Sequence, residues 1–280
     1  MAAAMLGYFL VIRGLSFAGH ALSNIGFAGA AGAVLLGVHP VYGLLTFTVA
    51  AGLAISIIGQ EIRERDVAIG VVMTFALGLG VLFLSLYHGY AEQAYSILFG
   101  TILGISKTDV LVTGLFSLGI MLAVLVLWRP LLFSSFDPEM AEARGVSLRL
   151  VSVLFLVIVA LTVSVAMQVV GVLLVFALLV GPPATAARLT HRPGWAVGLA
   201  TLLGLVYTWL GIWLAANGTW PVSFFIAAIS FGVYLPVRLF GHRLARRQSL
   251  KSSISPAKEV NNMDAVTVEK NPIHSEDPHG

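Results

Sequence analysis

Long apolar stretches separated by short polar turns dominate the sequence. Runs near the length of a transmembrane helix, roughly 20 residues, lie at about 14–38, 41–60, 67–87, 109–128, 194–215 and 221–240. A longer apolar run extends from Arg149 to Val180, and Gln168 and Gly171 interrupt it. That run is long for one span, so we predict a tight reversal at 168–171. The pattern predicts an all-α, polytopic integral membrane protein with about eight transmembrane helices.

Three other regions depart from this pattern. Residues 1–12 are apolar but too few to cross a bilayer, and we read them as the second half of a truncated N-terminal span. Residues 88–108 are mixed in character and predict a short helix with loops outside the membrane core. Residues 241–280 are polar without apolar periodicity, which is typical of a disordered tail. We therefore predict one membrane domain, 1–240, followed by a disordered cytoplasmic tail, 241–280.

Composition and charge support this class of protein and fix its orientation. The chain is 58% hydrophobic and 10% charged, whereas soluble domains carry about 25% charged residues. It has no cysteine, which excludes disulfides and thiolate metal sites. When successive spans alternate sides, 15 of the 16 Lys and Arg residues share one side, and only Lys107 lies opposite. Because positive loops face the cytoplasm, this distribution predicts a cytoplasmic C-terminus, and it explains the positive net charge without a nucleic-acid partner.

A charged segment, Ser134–Leu150, lies between the apolar runs, and we call it the polar island. Asp137 can accept a hydrogen bond from a free amide at a helix start, and Pro138 and Glu139 suit the first turn. Gly145 can adopt the left-handed conformation that ends a helix. These residues predict a two-turn helix outside the membrane. A helix tied so closely to two spans is a candidate handle for a partner protein.

A polar stripe crosses the helix predicted after Arg13. Ser16, His20 and Asn24 follow at i, i+4 and i+8, which places the stripe roughly 10 to 15 Å into the membrane at 1.5 Å per residue. Ionisable groups at that depth usually face a cavity or another helix. An ion pathway and a hydrogen bond across a helix interface are both open interpretations. The small-residue pairs in the same stretch favour tight helix packing.

The sequence offers no catalytic constellation. It contains no carboxylate pair or Ser/His/Asp set within the spans, and no G-x-x-x-x-G-K-[ST] loop. We therefore do not predict an enzyme; if ATP drives the protein, a partner chain binds it. Gly181, Pro182 and Pro183 predict a helix break, more consistent with a structural kink than with a gate.

Several short motifs follow one another between about residues 7 and 240: Arg13–Val38, Asp66–Gly70, Ile97–Gly104, Ser135–Glu139 with Ala143–Gly145, and Gln168–Leu174 through Pro183–Ala186. In this order they resemble the permease subunits of ATP-binding-cassette (ABC) zinc/manganese importers. It implies a multi-pass protein of the bacterial plasma membrane that pairs with a second permease copy. It also implies an extracytoplasmic metal-binding protein and two cytoplasmic ATPase subunits. Those subunits would grip the island helix through Asp137, Pro138, Glu139, Ala141, Ala143, Arg144 and Gly145.

The chain departs from the family at the polar stripe. The family reads G-D-A-[IL]-S-H-A where Gly19–Ile25 reads G-H-A-L-S-N-I, so His20 and Asn24 replace the usual Asp and His. Across a two-fold axis, two copies of each would supply neutral donors for zinc or manganese, which is here the transported ion and not a resident cofactor. The alternatives are an ATP-independent secondary transporter, which should show acidic residues in mid-span, and an ABC permease for an iron chelate.

Overall fold

The computed structural model describes residues 1–58, 62–87, 107–190, 192–218 and 220–239. Throughout these ranges the regular secondary structure is helical, which confirms the all-α prediction. The helices are α1 Ala2–Ile12, α2 Ser16–Leu35, α3 Pro40–Ile58, α4 Ile62–Leu86, α5 Lys107–Val126, α6 Trp128–Phe136, α7 Pro138–Ala143, α8 Leu148–Leu189, α9 Pro193–Ala216 and α10 Val222–Leu239. Met1–Leu235 form one compact unit, and Pro236–Gly280 belong to a second, of which only the end of α10 is described.

Within the described ranges, the number of spans differs from the predicted eight. Five helices are long and apolar enough to cross a membrane, and α5 with α6, bent by 56°, would make a sixth. Helix α1 and the second half of α8, Leu174–Leu189, are shorter apolar helices. Helix α2 is not among the five, although most of its residues are buried. The polytopic membrane fold is confirmed, whereas the count of eight is not.

Helix α2 lies inside the bundle, packed against α3, α4 and α8. Its small residues allow this packing. A side chain on Gly29 would collide with the backbone carbonyl of Gly43 in α3, and one on Gly43 would collide with that of Gly29. A Cβ on Gly80 of α4 would lie 3.1 Å from the Cα of Ala28. The glycines and alanines of α2 therefore serve close backbone approach.

Helix α8 turns back on itself at Gly171, which confirms the predicted reversal. Gly171 has φ 76° and ψ 169°, a backbone region that essentially only glycine occupies. The contacts of α8 along α2 show the change of direction. Phe155, early in α8, lies beside Arg13 just before α2, and Met167 lies beside Gly26. Phe176, after Gly171, lies beside His20, nearer the start of α2 again. The two halves of α8 therefore run in opposite directions along α2.

Helix α8 continues through Gly181, Pro182 and Pro183 to Leu189, so the predicted break does not end the helix, whereas a kink there stays a prediction. Pro183 has no N–H for the carbonyl of Leu179, four residues earlier. Gly7 of α1 lies directly against that carbonyl, where any side chain would collide with it. Neighbouring helices can cover backbone groups that proline leaves free in a membrane, so the helix tolerates the proline pair.

Two smaller boundaries also differ from the sequence interpretation. The sequence pattern predicts a turn at the charged segment 61–66, but helix α4 begins at Ile62 and includes the rest of this segment. Ser134–Phe136, the first residues of the polar island, belong to the end of α6. The predicted helix and loops at 88–108 fall almost entirely outside the described residues, as does the tail at 241–280, so both remain predictions.

Candidate functional site

The predicted polar stripe contains a contacting pair, His20 and Asn24. The Asn24 amide nitrogen lies 3.2 Å from the His20 Nε2 atom and 3.1 Å from the His20 backbone oxygen. It is also 3.5 Å from the sulfur of Met73 in α4. Ser16 lies one turn earlier on α2 and takes no part in these contacts. The structure thus brings together two of the three residues that the sequence singled out.

The contacts of Asn24 indicate which His20 nitrogen carries the proton. A backbone carbonyl only accepts hydrogen bonds, so the Asn24 atom beside it is assigned as the donating NH₂ group. The same group faces His20 Nε2, which then accepts. A neutral imidazole accepting at Nε2 carries its proton on Nδ1. This Nδ1 atom is buried and has no hydrogen-bond partner among the described residues.

Two aromatic rings flank the imidazole. Phe176, from the second half of α8, meets the His20 ring edge-on at 4.7 Å between centroids, and Phe17 lies at 6.5 Å. Within the described ranges, no group of three or more His, Cys, Asp or Glu residues is placed to hold a metal ion. One copy of the chain therefore presents an imidazole, an amide and a thioether, all neutral, in an otherwise apolar setting.

The sequence interpretation missed Met73 and Phe176. A methionine or phenylalanine at helical spacing usually fills a core, so neither residue stood out in the sequence. The position of Phe176 beside His20 follows from the reversal at Gly171, which brings the second half of α8 back along α2, whereas Met73 reaches Asn24 from α4. Tertiary structure alone supplies these neighbours.

The island helix, α7, forms by local capping as predicted. The Asp137 carboxylate accepts a hydrogen bond from the backbone N–H of Met140 at 3.0 Å. Gly145 takes φ 79°, and the Val146 N–H donates to the carbonyl of Ala141 at 3.0 Å, which closes the helix end. The caps define where this short helix begins and ends.

One face of α7 is buried and the other is open. Ala141 is 1% exposed and attaches the helix to the bundle, whereas Met140 is 49% exposed. The Arg144 guanidinium lies 5.6 Å from the ring centroid of Phe133 in α6. The remaining predicted coupling residues, Asp137, Pro138, Glu139, Ala143 and Gly145, are exposed. Met140, which the sequence interpretation did not single out, adds an apolar group to this open surface.

Arg13 connects the island to the helix that carries His20. Its Nε atom donates to the hydroxyl of Ser135 at 2.9 Å, and its Nη2 atom donates to the hydroxyl of Ser134. The guanidinium also lies over the ring of Phe155 in α8, 5.0 Å from the centroid. Burial lowers the pKa of Arg13 to about 10, so the group keeps its charge at neutral pH. The sequence interpretation used Arg13 only to mark a membrane edge.

These features define the class of protein as a polytopic membrane protein, with a polar pair in an apolar helical bundle and a capped, exposed short helix. The ABC 3 transport family matches residues 1–241. The chain belongs to this family.

Individual relatives agree with the family match. The manganese transport system membrane protein MntC of Halalkalibacterium halodurans is 34% identical over 75% of this chain and 73% of its own length. The high-affinity zinc uptake system membrane protein ZnuB of Haemophilus influenzae is 29% identical over 76% of this chain and 82% of its own. The solved structure of PsaBC from Streptococcus pneumoniae in complex with Fab aligns with a TM-score of 0.75 at 28% identity, covering 85% of this chain and 86% of that one.

Proposed function

We propose that this chain is the permease subunit of an ABC importer that brings a divalent transition metal, manganese or zinc, into a bacterial cytoplasm. The observation that carries the proposal is the family match across residues 1–241. Relatives named for manganese transport and for zinc uptake each align over about three quarters of the chain. The permease provides the pathway, and a separate subunit hydrolyses ATP.

Helix α7 is the proposed contact for the ATPase subunits. Its caps hold it rigidly, and Ala141 fixes it to the bundle. Its open face presents Glu139, Met140 and Arg144, which gives a partner both charged and apolar groups. Because α7 is continuous with α6 and α8 through short turns, a movement of this helix would be transmitted to the bundle.

The His20–Asn24 pair is the proposed contact point for the ion. In this conformation the Asn24 NH₂ group donates a hydrogen bond to the lone pair of His20 Nε2. Rotation of the amide would expose that lone pair and turn the amide oxygen toward the same space, which gives two neutral ligands of kinds that bind transition metals. Neutral donors do not cancel the charge of a divalent ion, so the ion would be held weakly and released readily.

The complete transporter would contain two permease copies and an extracytoplasmic metal-binding protein. In one copy, the described residues do not form a metal site of three or more His, Cys, Asp or Glu side chains. Two copies related by a two-fold axis would double the donors available to an ion. The metal-binding protein would deliver the ion from outside, and the plasma membrane orientation would place α7 and the C-terminus in the cytoplasm.

The test is the metal content of a deletion strain with and without the wild-type gene. We expect deletion to lower cellular manganese or zinc, measured by mass spectrometry, and the restored gene to recover it only in cells with a functional ATPase subunit. Purification of the tagged permease should also bring down that ATPase. Recovery without the ATPase would favour a secondary transporter, and a defect confined to iron would favour a chelate permease.

A further inference from the structure

Arg13 contacts both chain segments that carry the island helix. Ser134 and Ser135 lie at the end of α6, just before α7 begins, and Phe155 lies in α8, shortly after α7 ends. The guanidinium bonds to both hydroxyls and lies over the phenylalanine ring. One side chain therefore joins the two supports of α7.

Arg13 is also close in sequence to the proposed ion contact. It caps the C-terminus of α1, and Gly14, with φ 66°, turns the chain directly into α2. His20 follows within two turns of that helix. A displacement of α6 and α8 at their α7 ends would pull on Arg13, and Arg13 is covalently continuous with the helix that carries His20.

The two serine hydroxyls are oriented to receive the guanidinium. Ser134 donates its proton to the carbonyl of Pro130 at 2.7 Å, and Ser135 donates to the carbonyl of Leu131. Each hydroxyl therefore has its lone pairs left to accept from Arg13. A planar guanidinium can bond to two acceptors while stacking on an aromatic ring, which a lysine ammonium cannot reproduce.

We propose that Arg13 is a positioning residue that transmits movement of α7 to α2 and so couples ATP hydrolysis to ion movement. Its three partners are neutral. In these contacts the partly buried guanidinium is held by two hydroxyls and a ring and not by a carboxylate. The inference rests on the proposed function, because it requires that a motor subunit act on α7.

The experiment compares variants of the complete transporter reconstituted in liposomes, with ions imported per ATP hydrolysed as the measurement. Arg13→Gln should lower this ratio by about ten-fold, within the usual range of coupling between sites, while the ATPase subunits still copurify. Arg13→Lys should keep only part of the wild-type ratio of ions imported per ATP hydrolysed. Ser134→Ala combined with Ser135→Ala should also lower the ratio, because it removes the acceptors and keeps the arginine. Arg129→Gln is the matched control, since it removes an exposed arginine from α6 and should leave the ratio unchanged.

Three results would overturn the proposal. The first is a normal ratio in Arg13→Gln, and the second is full rescue by lysine. The third is a loss of uptake that simply follows the amount of folded permease, measured by thermal melting, with a normal ratio for the folded fraction. If Arg13→Gln does not fold, a normal ratio in the double serine variant contradicts the proposal equally well. Failure of the proposed function itself looks different, because wild-type liposomes would then show no ATP-dependent uptake.

Discussion

The partly buried His20–Asn24 pair on α2 and the exposed helix α7 are built on opposite principles. Helix α7 is specified by its neighbours in sequence: Asp137 caps its start, and Gly145 permits its end. The His20–Asn24 pair is local on α2, but its surroundings come from distant helices, with Met73 from α4 and Phe176 from α8. The comparison teaches that the proposed ATPase contact is specified by local capping, whereas the proposed ion contact depends on how the bundle is assembled.

The largest effect should come from His20→Ala. The variant removes the only imidazole of the pair, and metal uptake should fall by at least about ten-fold, since the loss of groups around metal ligands costs about 10–100-fold. Uptake of radioactive manganese or zinc in a deletion strain measures this. Ser23→Ala is the control on the same helix, because that hydroxyl only bonds back to Gly19 at 3.2 Å. Wild-type uptake in His20→Ala would remove the residue from the pathway.

Gly171→Ala should destabilise the reversal of α8, which brings Phe176 beside the His20–Asn24 pair. The backbone there lies at φ 76°, and forcing a side chain into that region costs about 1–3 kcal/mol. We expect a lower melting temperature and less folded permease in detergent. Gly78→Ala provides the contrast, because that helical glycine has open space around it and an ordinary φ. Equal stability of the two variants would contradict the glycine-specific reversal.

Asn24→Asp tests how a negative charge in the His20–Asn24 pair changes ion binding. A carboxylate beside His20 attracts a divalent ion, and a ten-fold gain in affinity corresponds to about 1.4 kcal/mol. We expect the apparent KM for uptake to fall by about this factor, and the maximal rate to fall as release slows. Kinetics of metal uptake in liposomes separate the two parameters. An unchanged KM would indicate that the ion does not approach Asn24.

The smallest effect should come from Asp137→Ala at the exposed helix. Loss of an N-cap costs about 1 kcal/mol, so α7 should fray and the amount of copurified ATPase should fall by about five-fold. Asp137→Asn is the matched control, since asparagine caps equally well. A drop of the same size in both variants would assign the effect to the charge of Asp137 and not to the helix cap.

The sequence predicts those parts of the fold that depend on local chemistry. The caps of α7, the spacing of His20 and Asn24, and the reversal at Gly171 were all readable because each rests on one residue type in one local conformation. The continuation of α8 past the proline pair could not be predicted, because the sequence does not show that Gly7 covers the carbonyl that Pro183 leaves free. Arg13 was equally hidden, since its serine partners lie more than a hundred residues away.

The central claim is that α7 faces the cytoplasm and is held there by a motor subunit. The chain contains no cysteine, so a single Met140→Cys variant gives a membrane-impermeant thiol reagent one target. We predict that Cys introduced there is labelled in inside-out vesicles and not in right-side-out vesicles, and that bound ATPase protects it. Labelling from the outside would contradict the account, because no cytoplasmic motor could then reach the helix.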